Sequence, residues 1–320
     1  MKNGIISLGE ALIDFIPLDK ENISCQKSPG GAPANVSVGL ARLGARSSFL
    51  GKVGKDVLGE FLQKTLTDYG VGTEQMYLTR DTRTGVVFVT NAEDGERSFD
   101  FYIDPSADRF LTADDIKEED FVSHQILHFG SISMISSPAK EATHHAVKLA
   151  KENGMLVSYD PNLRLGLWDS EENARTTIES MLDQADFLKI SEEELEFITG
   201  ESDFEAGLEK MKSYNIPLMI ITMGAEGCHV YTKDGHRHVP AMKVQAVDTT
   251  GAGDAFVSGM LYQLHEYEGD IQSLTIEAAA EMAAFAAVSG ALAASTKGAM
   301  TALPTLEEVK QHLGGGGSRK

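Results

Sequence analysis

Four short apolar runs recur along the chain: QILHFGSI at 125–132, LVSYDPN at 156–162, FLKIS at 187–191 and LMIITMG at 218–224. Each is too short for a core helix and is bounded by polar or turn residues, so each predicts a strand. The stretches AKEATHHAVKLAKENG (139–154), SEENARTTIESMLDQA (170–185) and EEELEFITG (192–200) lie between them and predict helices. The first and last of these close on glycine, the usual helix stop. That alternation predicts an α/β fold, a mostly parallel sheet flanked by helices, with ligands beyond the carboxyl ends of its strands. The polar residues of YDPNLR and KISEEE fall at that edge.

Two segments break the pattern. ALIDFIPL (11–18) alternates, with Leu12, Asp14 and Ile16 on one face, and TGVVFVTNAEDGERSFDFYI (84–103) predicts a hairpin turning at Asp94-Gly95. Their polar faces suit a small antiparallel β-sheet standing off the core as a lid, made of residues 12–29 and 84–103. The α/β domain is then residues 1–11, 30–83 and 104–313, and GGGGSRK (314–320) is a flexible tail. A second hairpin is expected at Asp234-Gly235, and the alanine-rich stretch 278–294, which carries Glu281 and Ser289, predicts a buried helix rather than a membrane span.

Composition narrows the partners. A net charge of −20 argues against nucleic acid or an anionic membrane surface, without excluding a phosphate held by local N–H groups. Two distant cysteines, Cys25 and Cys228, suit a reducing cytoplasm. The beginning, MKNGIISLGEALIDF, does not read as a signal peptide.

Chemistry concentrates in two glycine-rich helix entrances. In GAPANVSVGLARLG (31–44) Pro33 suits a first helical turn, and Asn35 lies beside the apolar stripe of Val36, Leu40 and Leu43. A tight loop explains the glycine pair; so does a ligand packed on bare backbone and gripped by the amide. In VDTTGAGDAFVSGM (247–260), Gly251, Ala252 and Gly253 open a helix whose free N–H groups and dipole favour a phosphate or a developing negative charge. Asp254 in that first turn either complements the dipole or serves as a base that takes a proton from a hydroxyl attacking phosphorus. The P-loop sequence is absent, and GAGDAF lacks the third glycine of a dinucleotide fingerprint, which weakens an oxidoreductase reading.

DTTGAGDAF closely resembles the C-terminal signature of the ribokinase-like (PfkB) family of carbohydrate kinases. GGAPANVSVGLARLG with GKVGKDVLGEFL resembles its N-terminal signature, in the expected order, and the likeness runs from about residue 3 to 305. GEALIDFIP, ERSFDFY, PSAD, YDPNLR and KISEEELEFITG are most similar to fructokinases. The resemblance implies that Asp14, Gly30, Gly31 and Asn35 hold the sugar and that Asp254 is the catalytic base, with Gly251, Ala252 and Gly253 as its anion hole. It implies an ATP site at Thr222, Gly224 and Gly227, with Lys189 and Arg164 facing the phosphates. Ser191 replaces the asparagine of the family's N-x-x-E, and the resemblance implies that Glu194 acts on Mg²⁺ through water. Asp248, Thr250 and carbonyls near Ala293 and Gly298 match a loop for a monovalent cation, expected to be K⁺. Many fructokinases carry arginine after FY, where this chain has Ile103-Asp104; Arg97 is then the cation on the expected lid that could reach a substrate.

The implied activity is ATP-dependent phosphorylation of a sugar hydroxyl, with D-fructose and its 6-hydroxyl first. Ribose, 2-keto-3-deoxygluconate and aminoimidazole riboside are alternative acceptors. A non-catalytic sugar-binding regulator on the same fold is the alternative of another class, opposed by the intact GAGD. A homodimer through the lid is expected, because a half-apolar exposed sheet invites pairing.

Overall fold

The computed structural model describes residues 2–91 and 97–314. Its first half contains β1 (Ile5–Leu8), β2 (Leu12–Pro17), β3 (Cys25–Gly30), α1 (Ala32–Arg42), β4 (Ser47–Gly54), α2 (Val57–Asp68), β5 (Met76–Thr79), β6 (Gly85–Asn91) and β7 (Arg97–Phe101). Then come α3 (Glu118–Ser123), β8 (Ile126–Phe129), α4 (Ala139–Glu152), β9 (Leu156–Tyr159), α5 (Glu171–Leu182), β10 (Phe187–Ser191), α6 (Glu192–Thr199) and α7 (Phe204–Met211). The chain ends with β11 (Leu218–Thr222), β12 (Cys228–Thr232), β13 (Gly235–Val239), α8 (Ala252–Glu266), α9 (Ile276–Ala294) and α10 (Leu306–Gly314).

Nine strands form one sheet in the order β13-β12-β11-β10-β9-β8-β1-β4-β5. It is parallel except at one end, where the hairpin turning at Asp234-Gly235 pairs β12 antiparallel to both β11 and β13. The four expected strands are β8 to β11. The interior strand β1, between β8 and β4, is IISL, four fully buried residues, as a strand covered on both faces must be. Helices on each face close two large apolar clusters, one around Phe129, Tyr159 and Leu188, the other around Ile220, Val257 and Ala283.

The helix α9 is long and apolar enough to cross a membrane, yet more than half of it is buried within the fold, mainly against α8. Its alanines have a packing reason. A Cβ on Gly259 of α8 would stand 2.8 Å from Ala286 Cα, so the two backbones approach too closely for larger side chains.

The remaining strands form a separate sheet in the order β3-β2-β6-β7. The pairs β2–β3 and β6–β7 are antiparallel, as expected, while the seam joining them, β2–β6, is parallel. That follows from the path of the chain, which returns through α1, β4, α2 and β5 before entering β6. The turn expected at Asp94-Gly95 lies outside the described residues. The small sheet departs from the carboxyl end of β1, the edge where β8, β9 and β10 also end, and so overlooks the expected site.

Candidate functional site

The sequence signatures meet in space. On the small sheet, Asp14 lies on β2 and Gly30 ends β3, two strands that pair as Leu12↔Gly30 and Asp14↔Ser28. A Cβ on Gly30 would fall on the Asp14 carboxylate and lie 3.1 Å from its Cγ, so the bare glycine is what lets that side chain sit there. Gly31 caps α1 at φ 101°, and a Cβ there would come within 2.5 Å of the Glu10 carbonyl oxygen. One turn into α1, buried Asn35 donates from Nδ2 to Asp254 Oδ2 at 2.7 Å, across 219 residues of sequence.

Asp254 occupies the first turn of α8, whose N-cap Gly251 has φ 77°. Burial and the nearby Asp160 charge push its pKa up to about 6, against the Asn35 hydrogen bond and the Lys189 and Arg164 cations. Asp14 is also raised to about 6, by burial first and then by the charge of Asp254. Of the expected anion-hole donors, the Ala252 N–H is turned to the Thr249 carbonyl at 3.2 Å. Phosphate binding through Ala252 therefore requires that turn bond to open. The Gly253 position faces Lys189, since a Cβ there would lie 3.8 Å from the ammonium.

Lys189 is buried on β10 and paired with Asp160 at 3.2 Å. Burial alone would lower its pKa, but the Asp160 and Glu194 carboxylates outweigh it, so the ammonium stays charged beside the end of α8. Asp160 was not among the expected site residues. Glu194 and Ser191 form a capping box at the start of α6, with Glu194 Oε2 accepting from the Ser191 N–H and Oε1 from the Leu163 N–H, at 2.8 and 2.7 Å. Burial, partly offset by Lys189, raises the Glu194 pKa. Arg164 is exposed and donates to the neighbouring Leu163 carbonyl at 3.0 Å, although its charge reaches Asp14 and Asp254. Arg97 opens β7 opposite Asn91, and its side chain lies outside the described residues.

Two clefts flank this centre. One, of about 780 Å³, runs beneath the small sheet between Phe99, Phe101, Arg164, Lys189 and Glu194. The other, of about 630 Å³, is bounded by Thr222, Gly224 and Gly227 on one side and by Gly253, Phe256 and Gly290 on the other. The expected nucleotide turn thus opens onto the N-terminus of α8, and small and apolar side chains supply the flat walls.

The loop before α8 is tied to the loop after α9. Asp248 accepts from the Thr250 N–H at 3.1 Å and from the Gly298 N–H at 3.3 Å, and its own N–H donates to the Ala294 carbonyl. The Ala293 carbonyl accepts from the Thr296 N–H at 3.1 Å. All four expected residues of the cation loop are therefore neighbours.

A family model described as pfkB family carbohydrate kinase matches residues 2–306. Among curated relatives, Fructokinase-1 of Zea mays is 44% identical over 313 residues, covering 96% of each chain. The probable fructokinase-6, chloroplastic, of Arabidopsis thaliana is 45% identical over 97% of this chain and 82% of its own length. Among solved structures, the fructokinase of Vibrio cholerae O395 bound to fructose, ADP and calcium ion superposes with a TM-score of 0.89 at 40% identity, covering 97% of this chain and 98% of that one. The aminoimidazole riboside kinase of Salmonella enterica, complexed with aminoimidazole riboside and an ATP analog, superposes with a TM-score of 0.87 at 32% identity over 97% and 100% of the two chains. With both signatures folded into one centre and the match running nearly end to end, the chain belongs to the pfkB family of carbohydrate kinases.

Proposed function

We propose that this kinase transfers the γ-phosphoryl group of ATP to the 6-hydroxyl of D-fructose. The observation that carries the chemistry is the Asp254 carboxylate, held by Asn35 at the N-terminus of α8 and facing the Lys189 charge. Asp254 removes the proton as the sugar oxygen attacks phosphorus, and the bond to the leaving ADP oxygen breaks on the opposite side. The N–H groups opening α8 and the Lys189 ammonium absorb the charge that develops. Asp14 and Asn35 orient the sugar. The cleft behind Thr222, Gly224 and Gly227 takes the nucleotide.

Mg²⁺ fits the phosphate side in one way. Among the described residues no three metal-binding side chains converge, so the ion would be carried largely by phosphates and water, with Glu194 and Asp160 as oxygen acceptors. Bound there, it would neutralise phosphate charge. The Asp248 carboxylate, which ties Thr250 and Gly298 together, and the carbonyls near Ala293 and Gly298 would supply the oxygens for a monovalent cation, which would brace the backbone leading into α8.

A panel of free sugars with ATP-Mg²⁺, read by ADP release in KCl and in tetramethylammonium chloride at equal ionic strength, tests both assignments. Fructose is expected to be turned over fastest, with clear stimulation by KCl. Preference for aminoimidazole riboside, which the second solved relative favours, would replace the sugar assignment. Tight sugar binding without ADP release would replace the kinase by a regulator. A flat response to KCl, with Asp248→Asn harmless, would leave Asp248 as a turn residue.

The small sheet acts as a lid that excludes water, and it carries the contact for a homodimer. Phe15 stacks on Phe88, Tyr102 meets Phe88 edge-on, and both Phe88 and Tyr102 remain exposed. Sedimentation velocity is expected to show a dimer that Phe88→Glu dissociates; an unchanged sedimentation coefficient in that variant would sink the assignment. Two free thiols, Cys25 and Cys228, suit the cytoplasm, where ATP and free sugar meet.

A further inference from the structure

Glu10, between β1 and β2, is buried to 4% exposure and has no part in the chemistry described so far. Its Oε1 accepts from the Ala32 N–H at 3.0 Å, capping α1 from 22 residues upstream where Gly31 offers no side chain. Glu10 and Asp254 both line a small pocket with about 10 Å³ of free space. That volume holds about one water molecule. The same lining includes Ser131, which is fully buried and whose Oγ has no hydrogen-bond partner. A buried hydroxyl with no partner, on a water-sized space that two carboxyls also line, calls for an occupant.

We propose that Glu10 is a positioning residue for the base: its carboxyl holds one buried water, shared with Ser131, against the Asp254 carboxylate. The proposal rests on Asp254 as the base. The bridging water donates to Asp254, and a hydrogen bond to the ionised form favours that form. Of the charged groups around Glu10, the carboxylates favour a neutral carboxyl and the Arg109 cation opposes it. Asp108 and Arg109 face it from one side, His128, Asp160 and Asp254 from the other. Burial, with help from Asp108 and Asp254, pushes the Glu10 pKa up to about 8. His128 is driven down to about 3 by burial and Lys189, so it is neutral and adds no charge.

The variants separate the water from the cap. Glu10→Gln keeps an acceptor for Ala32 and a donor for the water, and is expected to keep kcat within about 3-fold, with the acid limb of the pH profile still near 6. Glu10→Ala removes both and is expected to lower kcat about 10-fold and to move that limb upward. Ser131→Ala leaves the cap intact and is expected to move the limb in the same direction by a smaller step. An unmoved limb in Ser131→Ala, or a limb in Glu10→Gln displaced as far as in Glu10→Ala, would overturn the proposal. A readout independent of turnover is the infrared difference between wild type and Glu10→Gln in the free protein. A protonated-carboxyl band that titrates away near pH 8 supports it, and the absence of that band at neutral pH overturns it. If wild type phosphorylates no sugar, the kinase assignment fails on that ground alone, while the band still reports the state of Glu10.

Discussion

Asp254→Ala is expected to bind sugar and ATP within about 3-fold of wild type and to lose roughly 10²–10⁴-fold in kcat, the usual worth of a general base. In the proposed assignment the sugar would also meet Asp14 and Asn35, and the nucleotide would lie in a cleft that Asp254 does not line, so ground-state affinity should survive. Wild-type kcat/KM should fall below about pH 6 as Asp254 takes up its proton, and the variant should keep only the part of that fall that belongs to Asp14. Stability supplies the control, and its sign runs against ordinary intuition. The folded-state pKa is raised from 3.8 to about 6, so the fold disfavours the ionised carboxyl. That penalty is absent below about pH 4 and fully present above about pH 6, at no more than about 3 kcal/mol. Above pH 6 the variant should therefore melt no lower than wild type, and a lower Tm would mean that the lost activity is a folding defect. Retention of more than about a third of wild-type kcat would remove Asp254 from its role.

The parts of this site that could be read along the chain are those written in consecutive residues. GAGD announces a helix terminus with a carboxylate in its first turn, and α8 begins at Ala252 with Gly251 as its cap. The runs that became β8 to β11 were equally legible, because apolar stretches of that length between helical periods have few other solutions. What was hidden depends on distant pairing. Asp160 sits in an Asp-Pro-Asn turn, where turn chemistry already explains an aspartate; only Lys189, arriving 29 residues later on β10, shows its second partner. Glu10 resembles any polar residue after a strand until α1 lays the Ala32 N–H against it. The short β1 was not singled out as a strand, since IISL is only four residues long and runs almost directly into ALIDFIPL. The parallel β2–β6 seam is set by a crossover of several elements, which local alternation does not encode.

The glycine pair at the entrance of α1 leads to the second large effect, because its two members do different work. Gly30→Ala is expected to raise the sugar KM by about 10–100-fold with kcat changed by less than about 5-fold, the worth of one or two hydrogen bonds to a charged group. The Gly30 backbone lies outside the left-handed region, so the added methyl brings no conformational penalty. Its cost falls on the Asp14 carboxylate, which occupies the space the methyl needs. Asp14→Ala should therefore show the same KM defect, and adding Gly30→Ala to it should cost almost nothing more, since the group to be displaced is gone. Additive KM effects in that cycle would mean that Gly30 touches the sugar directly. Gly31→Ala should behave otherwise. With φ at 101° and the Glu10 carbonyl 2.5 Å from the new Cβ, it strains the junction between β3 and α1 and should lower Tm as well as affinity. A Gly30→Ala variant that loses Tm as Gly31→Ala does would show that both glycines serve the turn, and that the Asp14 carboxylate does not depend on the first.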